Sequence, residues 1–296
     1  MNIFRSKITA NQKGVCLIGE ALIDIIFDQN SNDKKIIVGG SPTNIAFNLN
    51  DLNIPNIHFF GTVGNDDFGK MIIDEFMTRK LSTKGINIHH KETSIVKINR
   101  TPLSPHATFF RDADKDISFT YDLKECIQNT AILHFSYWPL STKLSRETVL
   151  RSIKLAKKLN MIIGFDPNIH PLLLNDECPS FEELLEIIKH VDIIKPSFDD
   201  AVRLFGEGYK PIEYIKMFSD LGVKLVVMTL GKDGLIASYS NHIYVQESLA
   251  KEIVDATGAG DAFYSGMYAA ILNDEEIEDI LKIGSLCSAH NLKVVG

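Results

Sequence analysis

The sequence predicts an α/β protein built on a mainly parallel central sheet with helices on both faces. Three observations carry that expectation. Short apolar runs that suit buried strands alternate with longer stretches of helical period along most of the 296 residues. Residues 93–121 interrupt the alternation, being rich in β-branched and aromatic side chains without a helical period. The length allows one large α/β domain or two smaller ones, and a single domain over 1–296 is expected.

The elements follow in order. Val15-Cys16-Leu17-Ile18 reads as the first buried strand, and Gly19-Glu20 leads into the apolar run Ala21 to Phe27. A helix is predicted over 42–52, where Ile45, Leu49 and Leu52 share one face. Ser41 and Pro42, after Gly39-Gly40, suit its N-cap and first helical position. His58 to Gly61 reads as strand and 68–80 as helix, with Asp66 or Asp67 as N-cap. Segments 24–38 and 93–121 are expected to form a small separate sheet, a lid over one edge of the main one. Alternation resumes with strand Ala131 to Phe135, a helix at 145–159, strand Met161 to Phe165 and a helix at 180–189. Then come strand Val191 to Ile194, helices near 199–205 and at 211–221, and strand Leu225 to Thr229. Helices at 261–272 and 275–291 complete the pattern. Sheets of this kind bind ligands beyond the carboxyl ends of their strands.

Composition narrows the function classes. A formal net charge of -7, from 38 acids against 31 bases, speaks against a nucleic-acid surface. No apolar run is long enough to span a bilayer, so no membrane partner is expected. The first residues, MNIFRSKITANQKG, are a polar lead-in without the apolar middle of a signal peptide, and a cytoplasmic protein is expected. Cys16, Cys126, Cys178 and Cys287 are scattered and read as reduced thiols. The His89-His90 pair lies in a polar stretch and reads as solvated.

Two glycine-rich stretches must be weighed. Gly64 to Met71 has the spacing of a phosphate-binding P-loop, but Met71 replaces the hydroxyl that would hold magnesium, and Asp66 and Asp67 would repel phosphate. Gly258-Ala259-Gly260-Asp261-Ala262-Phe263 starts like a dinucleotide fingerprint, but Phe263 stands where the third glycine belongs. In VDATGAGDAF, small residues instead leave the amides of a helix N-terminus uncovered, a natural anion site. Two jobs fit Asp261 there. It caps the helix, or it takes a proton from a hydroxyl while the amides of Gly258, Ala259 and Gly260 hold a transferring phosphoryl.

These residues carry a resemblance. DATGAGDAF resembles the C-terminal signature of ribokinase/PfkB-type sugar kinases, with Ala256 where threonine is usual. GGSPTNIAFNLNDLNI and FFGTVGNDDFG resemble the N-terminal signature, and FDPNIHPLLL, DIIKPSFDDAVRLFG and VVMTLGKDGLIA the segments between. The resemblance implies a ribokinase-like fold, a sugar and ATP as ligands, and Asp261 as base beside an anion hole of Gly258, Ala259 and Gly260. It implies that Asp24 accepts sugar hydroxyls, that Gly39 and Gly40 form a hinge touching the sugar, and that Asn44 binds a diol. Asn168 matches a residue near sugar and phosphates. Lys195, Ser197 and Asp200 match a magnesium- and phosphate-handling segment, with Ser197 for asparagine and Asp200 for glutamate, and His170 stands where arginine is common. Thr229, Gly231 and Gly234 match the nucleotide loop, whose local alternative is a tight β-hairpin. The adenine is expected between that loop and Ser285 to Asn291, in a site that further residues close in the family. Magnesium is expected on the phosphates of ATP. Asp255 matches one ligand of a potassium ion that some members carry.

The sugar is read from less. GGSPTNIA is similar to its counterpart in fructokinases. Phe109, Phe110, Arg111, Phe119 and Tyr121 are expected on the lid, with Arg111 either reaching a hydroxyl or carboxylate of the sugar or lying exposed on a strand. D-fructose phosphorylated at its 6-hydroxyl is the expectation. The alternatives are 2-keto-3-deoxygluconate or ribose, or, in another class, a weakly catalytic sugar- or nucleotide-binding protein. A lid with open sheet edges predicts a homodimer through 93–121.

Overall fold

The computed structural model describes residues 4–8, 13–28, 34–100 and 106–293. Parts of the expected lead-in and lid, 9–12, 29–33 and 101–105 among them, lie outside the described residues. Strand β1 (Val15–Ile18) opens the main sheet, and β2 (Leu22–Asp28) and β3 (Lys34–Gly39) belong to a smaller one. Helix α1 (Ser41–Asp51), β4 (Ile57–Gly64), α2 (Asp67–Thr78) and β5 (Ile86–His89) return to the main sheet. Strands β6 (Ile95–Arg100) and β7 (His106–Phe110) complete the small sheet, and α3 (Tyr121–Asn129) follows. Then come β8 (Ile132–Ser136), α4 (Lys143–Lys158), β9 (Ile162–Asp166), α5 (Phe181–Ile188), β10 (Ile193–Ile194), α6 (Phe198–Phe205) and α7 (Pro211–Asp220). Strands β11 (Leu225–Thr229), β12 (Leu235–Tyr239) and β13 (His242–Gln246) precede α8 (Ala259–Leu272) and α9 (Ile277–Asn291).

Across the main sheet the order is β13-β12-β11-β10-β9-β8-β1-β4-β5. Every pairing from β5 to β11 is parallel, and β12 and β13 add an antiparallel edge. Side chains alternate between two cores, as strand pleating requires. Val15 and Leu17 face α1, α2, α8 and α9, whereas Cys16 and Ile18 face α3, α4, α5 and α7. Because the strands are parallel, the turns after β1, β8, β9, β10 and β11 all emerge on one edge.

Helix α8 is buried at every residue from Asp261 to Leu272, so it lacks a solvent face to loosen. Two tyrosines fix it to the sheet. The Tyr264 hydroxyl donates to Phe165 O at 2.5 Å and accepts from the Lys195 amide at 2.9 Å. The Tyr268 hydroxyl meets His134 Nδ1 at 2.7 Å, and burial lowers the His134 pKa to about 3, which keeps that ring neutral. Gly164 permits this approach, since a Cβ there would lie 1.8 Å from the Tyr268 hydroxyl.

The small sheet has the order β3-β2-β6-β7 and draws its strands from two separate segments of the chain. Its second segment ends earlier than expected. A 3-10 turn at Ala113–Lys115 lies within the span expected as strand, and helix α3 begins at its last residue, Tyr121. Phe119 therefore sits under Arg151, whose guanidinium lies 4.3 Å from its ring, and Tyr121 is exposed at the start of α3. Ser41 also differs, since Gly40 is the N-cap of α1 and Ser41 the first helical residue. Asp66 caps α2 by accepting from the Gly69 amide at 2.7 Å, as the rejection of a P-loop there anticipated.

Gly164→Ala should destabilise the protein by about 1–3 kcal/mol through overpacking. Urea-unfolding midpoints check this, and adding Tyr268→Phe to the same chain should recover part of the loss.

Candidate active site

The parallel edge collects the expected site residues. Asp166 ends β9, Lys195 and Ser197 follow β10, and Thr229 ends β11. With Asn168, Gly258 and Asp261 they line a cleft of about 880 Å³. A second cavity of about 240 Å³ shares Thr229, Gly231, Ala256 and Gly260 with it. This one runs between the 229–234 loop and α9, where Leu249, Ile253, Ala289 and Leu292 give it apolar walls. A polar cleft thus continues into an apolar slot, and Asp261 stands in the polar part.

Asp261 lies in the first turn of α8 and is 8% exposed. The preceding Gly258 adopts φ 74, a left-handed conformation that glycine takes without a Cβ penalty. Ser41 Oγ donates to Asp261 Oδ1 at 2.7 Å, and Asn44 Nδ2 donates to Oδ2 at 2.9 Å. Burial raises the carboxyl, while these two bonds and Lys195 pull it back, leaving its pKa at about 6. Among the described residues the amides of Gly260 and Asp261 have no acceptor, so they are available to an anion. The Ala259 amide, expected in the same hole, turns back to Ala256 O at 3.3 Å.

Beside Asp261 lies a second group of expected residues. Asp24 stands in the middle of β2, in the small sheet, and not at the end of the first strand. Burial first, and the charge of Asp261 second, push its pKa up to about 7. Its carboxylate passes directly over Gly39, where a Cβ would fall 2.1 Å from Oδ2. Gly40 has φ 108, and a Cβ there would lie 2.4 Å from Glu20 O. The glycine pair is therefore demanded by close approach of Asp24 and Glu20. Glu20 itself was not among the expected site residues. It is 3% exposed, accepts from the Ser41 amide at 2.8 Å, and has Ser136 Oγ at 3.2 Å. The signal in the sequence was an acid directly after an apolar strand, followed by small and apolar residues.

On the other side of the cleft Lys195 Nζ lies 3.7 Å from Asp166 and 4.9 Å from the ring centre of Tyr264. Burial raises the Asp166 pKa to about 7 against the opposing pull of Lys195. Ser197 and Asp200 form a capping box on α6, and Asp200 Oδ1 also accepts from the Ile169 amide at 2.9 Å. The pair so ties the loop carrying Asn168 to α6. Gly231 and Gly234 flank a 3-10 turn within the β11–β12 hairpin, with the Leu230 amide on Gly234 O at 2.8 Å. The hairpin is formed there, and its turn borders both the cleft and the apolar slot.

Two expected groups have other partners. Arg111 grips buried Asp114 through Nε at 2.9 Å and Nη2 at 2.6 Å, donates to Ser141 Oγ at 2.6 Å, and lies over Trp138. These contacts tie the end of β7 to the body of the protein, so Arg111 is a lid anchor in place of a cleft residue. Asp255 Oδ1 closes a turn by accepting from the Thr257 amide at 3.0 Å and hydroxyl at 2.8 Å. Among the described residues no group of three or more acidic, histidine or cysteine side chains is arranged to hold a metal. His170, in the position where arginine was noted, accepts from the Leu172 amide and packs 4.8 Å from Phe109, with its pKa lowered by burial and by Arg203. No described helix is long and apolar enough to cross a membrane.

A carboxylate that titrates near neutrality beside free amides at a helix N-terminus can accept a proton while the amides stabilise a developing anion. Comparison with known proteins agrees with that chemistry. Residues 12–296 match the profile of the pfkB family carbohydrate kinases. An ATP-dependent 6-phosphofructokinase of Thermoanaerobacterium thermosaccharolyticum is 39% identical over 99% of this chain and 92% of its own. A fructokinase structure from Halothermothrix orenii superposes with a TM-score of 0.80 at 31% identity, covering 92% of this chain and 97% of the other. An ATP-bound fructokinase of Xylella fastidiosa shares the fold with a TM-score of 0.85 at 19% identity, covering 96% and 94%. The fold is ribokinase-like.

Lys195→Met should raise the proton affinity of both Asp166 and Asp261, by about tenfold for the nearer partner. Carboxyl-carbon NMR titration of the two side chains reads the change, and unmoved midpoints would refute the electrostatic role of Lys195.

Proposed function

The chain belongs to the pfkB family of carbohydrate kinases, and from that premise we propose that it transfers the γ-phosphoryl of ATP to the 6-hydroxyl of D-fructose. The observation that carries this reading is Asp261, held by two donors at the mouth of α8 with free amides beside it. In the reaction Asp261 takes the proton of the primary hydroxyl as its oxygen attacks the γ-phosphorus. The bond to the β-γ bridging oxygen breaks and ADP leaves with that electron pair. The amides of Gly260 and Asp261, with that of Gly258, hold the transferring group, and Lys195 reaches the phosphates from the opposite wall. ATP enters as its magnesium complex, whose water shell suits Asp166 and Asn168 on the cleft wall. The apolar slot along α9 takes the adenine. Thr229, Gly231 and Gly234 shape the loop beneath it, with Ser197 and Asp200 supporting the phosphate side through the 166–170 loop.

A neutral polyol suits the acceptor side. Asp24, Asp261 and Asn44 offer acceptors and an amide to hydroxyls, with Gly39 and Gly40 leaving room for the approach. A keto-acid sugar would need a cation, yet Arg111 is engaged by Asp114 and His170 is held neutral. The 39% relative favours a second reading, in which fructose 6-phosphate is the acceptor. Potassium near the anion hole would rest on Asp255, and a homodimer would use the open lid edges β3 and β7.

An ADP-release assay over fructose, fructose 6-phosphate, ribose and 2-keto-3-deoxygluconate should give its highest kcat/KM on fructose. A higher value on fructose 6-phosphate replaces the sugar and keeps the chemistry. Asp261→Asn should lower kcat by roughly 10²–10⁴-fold. In the wild type, activity should rise with pH as Asp261 ionises, with an acid limb near its value of about 6. Wild-type turnover in the asparagine variant removes the base.

A further inference from the structure

Glu20 follows β1, whose sheet neighbours β4 and β8 lie on opposite sides and continue the chain in opposite directions across the sheet. A crevice opens at such a switch point. Helix α1 begins there without a cap of its own, because its N-cap is Gly40 and no side chain within the helix serves. Glu20 supplies the missing acceptor from another element. Its Oε1 receives the Ser41 amide at 2.8 Å, its carbonyl receives Thr43 Oγ1 at 2.9 Å, and Gly40 passes close over that same carbonyl. Ser136 Oγ on β8 lies 3.2 Å from Oε2. Ser41 is thus shared, with its amide on Glu20 and its hydroxyl on Asp261. Asn44, one turn on, holds the other oxygen of Asp261.

We propose that Glu20 is a positioning residue for phosphoryl transfer, which, by capping α1 through the Ser41 amide, sets where Ser41 and Asn44 hold Asp261. The inference rests on Asp261 as the base, as argued above. Glu20 is not among the residues that line the cleft, and it is proposed to act through α1. The groups facing it are Ser41 and Thr43 on α1, Ser136 on β8, Asp261 on α8, and Asp114 in the 3-10 turn. Burial, with the charges of Asp261 and Asp114, raises its pKa to about 8. Neutral glutamic acid can accept from Ser41 with one oxygen and donate to Ser136 with the other. Glutamine reproduces both bonds, and alanine neither.

The test compares kcat, KM and the pH–rate profile of Glu20→Ala and Glu20→Gln with wild type, using the phosphoryl acceptor that the sugar assay identifies. Alanine should lower kcat by about tenfold to a hundredfold, the scale of a small misplacement, with KM for ATP unchanged. Its acid limb should move to higher pH, because loosened Ser41 and Asn44 no longer hold down the proton affinity of Asp261. Glutamine should recover most of the loss and restore the limb. An alanine variant with wild-type kcat and limb overturns the proposal, as does a glutamine variant as impaired as alanine. If alanine does not fold, Glu20→Asp decides: the shorter acid keeps the carboxyl but draws it back from the Ser41 amide, so kcat should fall with KM for ATP unchanged, and wild-type kcat and limb overturn the proposal. Failure of the base assignment is read separately, in Asp261→Asn.

Discussion

A carboxylate has to be buried at the mouth of α8 and still lose its proton near neutral pH. Burial alone would keep it protonated and useless as a base. Strong donors alone would hold it ionised and make it a poor one. The structure balances the two with Ser41, Asn44 and Lys195 against desolvation. Each of those donors must then be held in place. Ser41 and Asn44 come from one helical turn, and that turn is fixed by Glu20 and by two glycines that let Asp24 and Glu20 pass at close range. Lys195 is fixed through its own amide, bound to the Tyr264 hydroxyl.

The sheet makes this balance possible because its parallel strands deliver several turns to one edge. Helix α8 lies across that sheet with its N-terminus aimed at the same edge. A helix with an exposed face could rock, and the direction of its free amides would rock with it. Here Tyr264 reaches β9 and the turn after β10, and Tyr268 reaches β8 past Gly164. The direction of the amides and the position of Asp261 are consequently set by the same contacts that build the core.

Much of this was legible in the sequence because it depends on local chemistry. Alternating apolar runs located most of the strands of the parallel sheet, and the second segment of the small sheet was found by its lack of helical period. Small residues before Asp261 marked the uncovered helix N-terminus, whereas Gly39-Gly40 read as a hinge and the close passage of Asp24 and Glu20 beside it did not show. What escaped depends on long-range contact. Glu20 read only as a link into the run Ala21 to Phe27, because only the fold brings Ser41 and Ser136 to it. Arg111 looked free, because Asp114 and Ser141 become its neighbours only once the lid docks. Tyr121 to Asn129 was overlooked as a helix because the aromatic run before it suggested continuing strand, whereas Thr120 caps a helix there by accepting from the Leu123 amide at 3.1 Å.

The replacements Ser197 and Asp200 make physical sense as a pair. Asp200 Oδ2 receives the Ser197 amide and hydroxyl, and Oδ1 receives the Ile169 amide, so both oxygens already have donors. A shorter acid serves this role because it stays close to its own helix. A longer one would carry its charge further into the cleft, beside Asp166. In the proposed reaction Asp166, on the cleft wall, would be an acid able to hold the water shell of the magnesium that accompanies ATP. Asp166 is itself raised to about 7 by burial, so it gains its charge most readily when a cation arrives. A site crowded with acids can thus admit a polyanion, because burial holds several of those acids near the point of protonation until the metal comes.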